Sequence, residues 1–333
     1  MTTYADSGVN IDAGNEAVRL MRAAIRRTYN PAVLSDTGSF GGLYSLKALA
    51  GMREPVLVAS TDGVGTKTKV ASRLNRWGSI GQDLVNHCVN DILVQGAQPL
   101  FFLDYVASSK LIPQQIADIV GGMAAACEAL GIALLGGETA EMPDVYHDGE
   151  VDVAGTIVGV VERAQIIDGR RVQIGDALVN LPSSGLHTNG FSLARRVLAD
   201  LDWETPRAEL GDIAIGDALL AVHRPYLHEV QAIQQAEVDI HALAHITGGG
   251  VVENLPRVLP TGLSFELYAD SWSIPPIFHL IQQRGQIADD EMMRVFNMGL
   301  GMIVVVPAAQ AERTVAVVEG AAVVGRIREA AHG

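Results

Sequence analysis

The chain has 333 residues, 48% of them hydrophobic and 19% charged, which excludes an unstructured polymer and exceeds what one ordinary core holds. Its net charge of −14 argues against nucleic acid as a partner, because duplex binding needs a basic surface. A phosphorylated small molecule stays possible, since backbone N–H groups, local lysines or carboxylate-bound Mg²⁺ can supply positive field.

No apolar run in the chain reaches membrane length, and the polar, glycine-containing residues 1–14 show no basic-then-apolar leader. Together with only two cysteines, Cys88 and Cys127, this sets the expectation of a cytoplasmic protein without a membrane partner. A helix is predicted from Asn15 to about Thr28, with Val18, Met21 and Ile25 on one face. Arg19, Arg22, Arg26 and Arg27 form a basic set, either a solvated face or a phosphate contact. The glycine-rich loop 35–45 leads to an apolar strand, Val56 to Ser60, and a turn, Thr61-Asp62-Gly63-Val64-Gly65-Thr66-Lys67. Two glycines, an aspartate and a lysine in one turn join backbone freedom to a metal-ligand type and a phosphate-partner type. The spacing is not that of a Walker A loop.

The next helix, Ser79 to Ala97, carries Leu84, Val85, Cys88, Val89, Ile92 and Leu93 on one face. Opposite them stand Asp83, Asn86, His87, Asn90 and Asp91, short groups that cost helix propensity and suit a fixed polar or metal-binding surface. The strand Leu100 to Ala107 holds Asp104 in an apolar run, where a carboxylate needs a partner. A helix over 113–130, a short strand over 132–135 and a second glycine-carboxylate turn over 136–143 follow, then a long strand over 151–161.

In the second half a strand over 177–181 breaks at Pro182-Ser183-Ser184-Gly185-Leu186-His187-Thr188-Asn189-Gly190 before a helix over 191–199. Serines, glycine and asparagine before a helix favour an anion, and the missing G-x-S-x-G makes Ser183 and Ser184 poor nucleophiles. A loop over 202–215, a helix over 216–236 and the triple glycine of His245-Ile246-Thr247-Gly248-Gly249-Gly250 come next. Helices near 251–259, 275–284 and 308–319 and strands near 263–268, 302–306 and 323–327 complete an α+β chain of two domains, divided at 1–167 and 168–333. Glycine loops with Asp, Glu or Asn, and hardly any nucleophile or base, fit Mg²⁺ with a polyphosphate. An ATP-using enzyme, a nucleotide-binding regulator and an assembly protein all remain open on the residues alone.

The strings STDGVGTK (60–67), GGETAEMPDVYH (136–147), SSGLHTNGFSL (183–193), HITGGGVVENLPRVLP (245–260) and FNMGLGM (296–302) resemble the aminoimidazole ribonucleotide synthetase family, the phosphoribosylformylglycinamidine cyclo-ligases. The resemblance runs from about Tyr4 to Val306. It implies ATP-dependent ring closure of formylglycinamidine ribonucleotide in purine biosynthesis, through an iminophosphate. It also implies a homodimer in which strands of an N-terminal α/β domain pair across the two copies, beside a C-terminal α+β domain. Carried over by motif, Asp62, Asp91 and Glu138 are metal ligands. Gly63, Val64, Gly65, Thr66 and Lys67 face ATP phosphates, and Thr247, Gly248, Gly249 and Gly250 cradle a phosphate. His187, Asn189 and Lys67 are the catalytic candidates, and Tyr4–Gly14 resembles a flap over the nucleotide. The rival readings are a small-molecule kinase of the same superfamily and a silent nucleotide-binding scaffold.

Overall fold

The computed structural model describes residues 8–330, so Tyr4–Ser7 of the expected flap lie outside the described residues. The chain divides into two units: the residues up to Ile92 with Ala97–Ala164, and Leu93–Gly96 with the residues from Gln165 onward.

The first unit begins with α1 (Ile11–Arg27), four residues earlier than the apolar spacing indicates. The Asn10 side chain explains the difference: it accepts the Ala13 N–H, and Asp12 sits in the positive first turn. The arginines of this helix make a solvated ion-pair face rather than a phosphate site. Arg19 meets Glu16 at 2.6 Å, Arg27 meets Glu128 at 3.2 Å, and Arg26 pairs with Asp36. Next come β1 (Pro55–Gly63), α2 (Lys67–Leu74), α3 (Gly78–Leu93), β2 (Gln98–Ser108), α4 (Pro113–Leu130), β3 (Ala133–Glu141) and β4 (Val151–Glu162). They build one sheet in the order β1-β4-β2-β3, with β2 and β3 parallel through the α4 crossover and the other pairs antiparallel. α4 starts on Pro113, whose missing N–H costs nothing there, and stops on Gly131 at φ +70°.

Two glycine "turns" of the sequence prove to be strand. β1 runs on through Asp62 and Gly63, and β3 through Gly136-Gly137-Glu138-Thr139-Ala140-Glu141, because each finds a ladder partner. Lys67 then opens a helix instead of closing the turn.

The second unit comprises β5 (Ala177–Pro182), α5 (Phe191–Val197), β6 (Pro206–Arg207), β7 (Ile213–Ala214), α6 (Ile215–Leu220), α7 (Leu227–Gln235), β8 (Ala242–His245), α8 (Gly250–Asn254), β9 (Leu263–Leu267), α9 (Pro276–Gly285), α10 (Asp289–Val295), β10 (Leu300–Val306), α11 (Ala311–Val317) and β11 (Ala322–Glu329). The expected helix 216–236 is two helices, because the stretch with Pro225 cannot keep the hydrogen-bond ladder. An antiparallel sheet of order β8-β10-β5-β11-β9 forms the middle of the unit. β10 is buried along its whole length, and Leu178, Ile303, Val305 and Val324 pack in its core. Leu300 lies opposite Pro182, and Met302 opposite His245. This register brings the start of β10 beside the ends of β5 and β8, so loops 183–190, 246–249 and 296–299 open at one end of the sheet.

Candidate functional site

In the first unit, β1 and α3 bring two of the expected metal ligands together. Asp62, Asp91 and His87 offer ligand atoms within 4.8 Å of one another. His87 Nε2 stands 2.8 Å from Asp62 Oδ2 and 3.7 Å from Asp91 Oδ2, and Ser60 Oγ donates to Asp91 Oδ2 at 3.1 Å. Burial alone would lower the His87 pKa, but the Asp62 hydrogen bond and the charges of Asp91, Asp62 and Asp83 outweigh it and raise the value. The Asp62 carboxylate stays half exposed, and its Oδ1 takes the Gly63 N–H at 2.7 Å. Hard oxygens on a half-open rim, steadied by an imidazole, are a donor set suited to Mg²⁺. The polar face of α3 is indeed fixed: Asp83, Asn86, His87 and Asn90 are all buried.

Glu138 does not join this group. It lies on β3, in register with Tyr105, with β2 and β4 between it and β1. At about 4.8 Å per strand, three steps place it roughly 14 Å from Asp62. One row across the sheet reads Asp62, Gly155, Asp104, Gly137. A Cβ on Gly137 would stand 2.2 Å from Asp104 Oδ1, so this glycine leaves space for the carboxyl. Asp104 is pushed up to about 7, first by loss of water around its charged form and further by the charge of Glu138. Both acids line a cavity of about 540 Å³ whose apolar wall includes Val18, Met21, Ile25 and Leu135. Asp104 drew notice in the sequence only as a carboxylate in an apolar run; the cavity explains it.

Lys67 departs from the expectation of a phosphate contact. Its ammonium lies 2.8 Å from Asp83 Oδ2, and both side chains are fully buried. As first residue of α2 it points into the unit, while Gly65 (φ +53°) and Thr66 form the exposed tip. Val64 is also buried, so of the loop only Gly63, Gly65 and Thr66 offer accessible backbone.

In the second unit the three loops are held from within. His187, at φ +60°, is buried, and its Nε2 accepts the Ser184 N–H at 3.2 Å. A ring nitrogen that accepts a backbone N–H has no lone pair left to take a proton from substrate. Its ring stacks on His223 at 3.9 Å, and His223 Nε2 meets His245 Nε2 at 3.0 Å. In this structure His187 therefore supports its own loop through Nε2. Asn189 stays partly exposed beside Gly248, where a Cβ would stand 3.1 Å from its Oδ1. Asn297 escaped the sequence reading. Buried, it accepts Ser183 Oγ–H and Gly299 N–H, each at 2.9 Å, and donates to Gly185 O at 2.8 Å, tying two loops together.

A family model described as the AIR synthase related protein N-terminal domain matches residues 47–161, and its C-terminal counterpart matches residues 173–333. A phosphoribosylformylglycinamidine cyclo-ligase of Desulfitobacterium hafniense is 50% identical over 304 residues, covering 91% of this chain and 89% of its own. That of Gloeobacter violaceus is 52% identical over 311 residues, covering 93% and 91%. The chain belongs to the phosphoribosylformylglycinamidine cyclo-ligase family. The same fold recurs in a thiamine-monophosphate kinase from Stenotrophomonas maltophilia, with a TM-score of 0.66 at 20% identity over 93% of this chain and 94% of that one. It recurs also in the hydrogenase maturation protein HypE in complex with ATP, with a TM-score of 0.68 at 18% identity over 99% and 90%. Within the cyclo-ligase family, then, the carboxylates of the first unit and the glycine loops of the second stand on a two-domain α+β frame.

Proposed function

We propose that the protein closes the imidazole ring of aminoimidazole ribonucleotide from formylglycinamidine ribonucleotide, with ATP converted to ADP and phosphate. Half-identity to cyclo-ligases over nine-tenths of the chain carries this reading. Transfer of the γ-phosphoryl group to the formyl amide oxygen turns a poor leaving group into phosphate. The amidine nitrogen then attacks the activated carbon, the ring closes, and the C–O bond to phosphate breaks. Such a reaction needs alignment and charge neutralisation more than a strong base. The buried, internally bonded His187 suits that demand, with Asn189 left to orient the amide or amidine of the substrate.

Asp62 and Asp91 would hold Mg²⁺, which when bound offsets the charge of the ATP phosphates. The backbone at Gly63, Gly65 and Thr66 lies next to them for the phosphate oxygens, while Lys67 acts from inside through Asp83. The cavity at Asp104 and Glu138 has the size and apolar wall for the nucleoside end. The loop Thr247–Gly250 holds a phosphate. The protein works as a cytoplasmic homodimer; among the described residues no helix is long and apolar enough to cross a membrane.

The test is turnover of formylglycinamidine ribonucleotide with ATP and Mg²⁺, following aminoimidazole ribonucleotide by diazo coupling and ADP in parallel. Equal amounts of both products, abolished in Asp62→Asn, are expected. ADP without the imidazole would replace the reading with a kinase-type activity, and ATP binding without turnover would leave a scaffold.

A further inference from the structure

Residues 35–42 of the glycine-rich loop rim the cavity that holds Asp104. The two ends of this loop are pinned together. Val33 bridges Tyr44, the Leu34 N–H donates to Leu43 O at 2.8 Å, and the Ser45 N–H donates to Ala32 O at 2.7 Å. The hairpin is also fastened to its unit: the Tyr44 ring meets the Phe101 ring of β2 at 5.3 Å, and Asp36 pairs with Arg26 of α1. Between these anchors the tip touches little. A side chain on Gly38, at φ +97°, or on Gly41 would meet nothing within 4 Å. Phe40 stands between those glycines, lines the cavity and is fully exposed. An aromatic ring left in water at a cavity mouth forgoes the stabilisation its area brings on burial, and the glycines give its backbone room to turn.

The lining says what the ring covers. Among the described residues that line the cavity there is no lysine, arginine or histidine, so its wall favours no phosphate. Val18, Met21, Ile25 and Leu135 make that wall apolar, and about 540 Å³ is ample for a base with its sugar. Asp104 accepts no hydrogen bond from another described residue, which leaves its carboxyl open to the amino or hydroxyl donors of a nucleoside. Asp62 lies two strand spacings away along the row, roughly 9.6 Å, so a triphosphate held at Asp62 can set its base here. Of the two substrates only ATP carries an aromatic ring, because formylglycinamidine ribonucleotide has none until the imidazole closes. We infer that Phe40 folds over the cavity mouth and stacks on the adenine of ATP, so that this one side chain holds the base in place. This rests on the reading of the cavity as the nucleoside site.

The test compares wild type with Phe40→Ala, Phe40→Trp and Leu43→Ala, the last an exposed side chain of the same hairpin that does not line the cavity. Because Phe40 is exposed, removing its ring should leave the fold intact. In Phe40→Ala the KM for ATP should rise about tenfold or more, with the KM for formylglycinamidine ribonucleotide within about twofold. Leu43→Ala should keep its ATP KM within about twofold of wild type. Emission of Phe40→Trp, read against the three tryptophans of the wild type, should be quenched by ATP with Mg²⁺ and unmoved by tripolyphosphate or by the ribonucleotide. This titration needs no turnover, so quenching in a protein that makes no imidazole would uphold the stacking and sink the ring-closure reading. An unchanged ATP KM in Phe40→Ala, or emission that ATP does not alter, would overturn the inference. So would a rise in the ribonucleotide KM instead, or an equal rise in Leu43→Ala. If Phe40→Ala sediments as a lighter species than wild type, the ring belongs to a contact between two copies, and the inference falls.

Discussion

Lys67 shows how far a side chain's job depends on a partner distant in sequence. In the string STDGVGTK its position suggests a cation waiting for phosphate, yet Asp83, sixteen residues on, draws it inside. Burial lowers the lysine pKa and the charge of Asp83 works against that shift, so the two groups tolerate burial only together. Lys67→Met should cost about 3–5 kcal/mol in denaturant unfolding by stranding Asp83, and Lys67→Met/Asp83→Leu should recover much of it. A large rise in ATP KM without lost stability would return Lys67 to the phosphates. Asp104 makes a pH-dependent case. Its folded value of about 7 lies above the ordinary 3.8, so the fold favours the neutral acid. Its contribution is present below pH 4 and lost as pH rises through 7. Wild type should therefore melt increasingly below Asp104→Asn between pH 4.5 and 8, by at most about 4 kcal/mol and less where water reaches the carboxyl. A gap that does not change with pH would mean that the carboxyl is ionised throughout.

At the scale of elements, long periodic segments were legible and the strand ends were not. The helix over 113–130 matches α4 residue for residue, and the strand over 151–161 matches β4 to within one position, because each has one unbroken pattern and clear stops. GGETAE reads as a turn by composition, since glycine is usually punctuation. Only the parallel ladder to β2 makes it strand, and the side chain and backbone oxygen of Asp104 together account for Gly137 within it. Asp91 stands out as one of the short polar groups that cost helix propensity on its face, whereas the pairing of Asp62 with Asp91 as metal ligands comes from the motif resemblance. The separation of Glu138 from them depends on strand order, which no local pattern encodes. Gly137→Ala tests this account. Its Cβ would meet Asp104 Oδ1 at 2.2 Å and Asp104 O at 2.7 Å, so a loss of about 1–3 kcal/mol is expected. Adding Asp104→Ala should restore only part, because the backbone contact remains. An unaffected melting temperature would show that the strand yields easily at this row.

For the whole molecule the question is what covers the first unit's sheet. β1 and β3 are its outer strands, and an edge strand offers backbone groups to another chain. Leu57 on β1 is 64% exposed, and Leu34, Phe40, Leu43 and Leu46 in the segment before it are exposed as well. An exposed leucine on an open edge strand favours self-association over solvent. We propose that the homodimer pairs through β1, the edge strand that carries the exposed Leu57. Sedimentation of the wild type at micromolar concentration should give the mass of two chains, and Leu57→Arg, which adds a charge on each copy at the seam, should shift it toward one. Turnover per chain should fall with dilution in the variant sooner than in the wild type if pairing also shapes the active site. A wild type that sediments as a single chain would remove the dimer, and a Leu57→Arg dimer as tight as the wild type would move the seam away from β1.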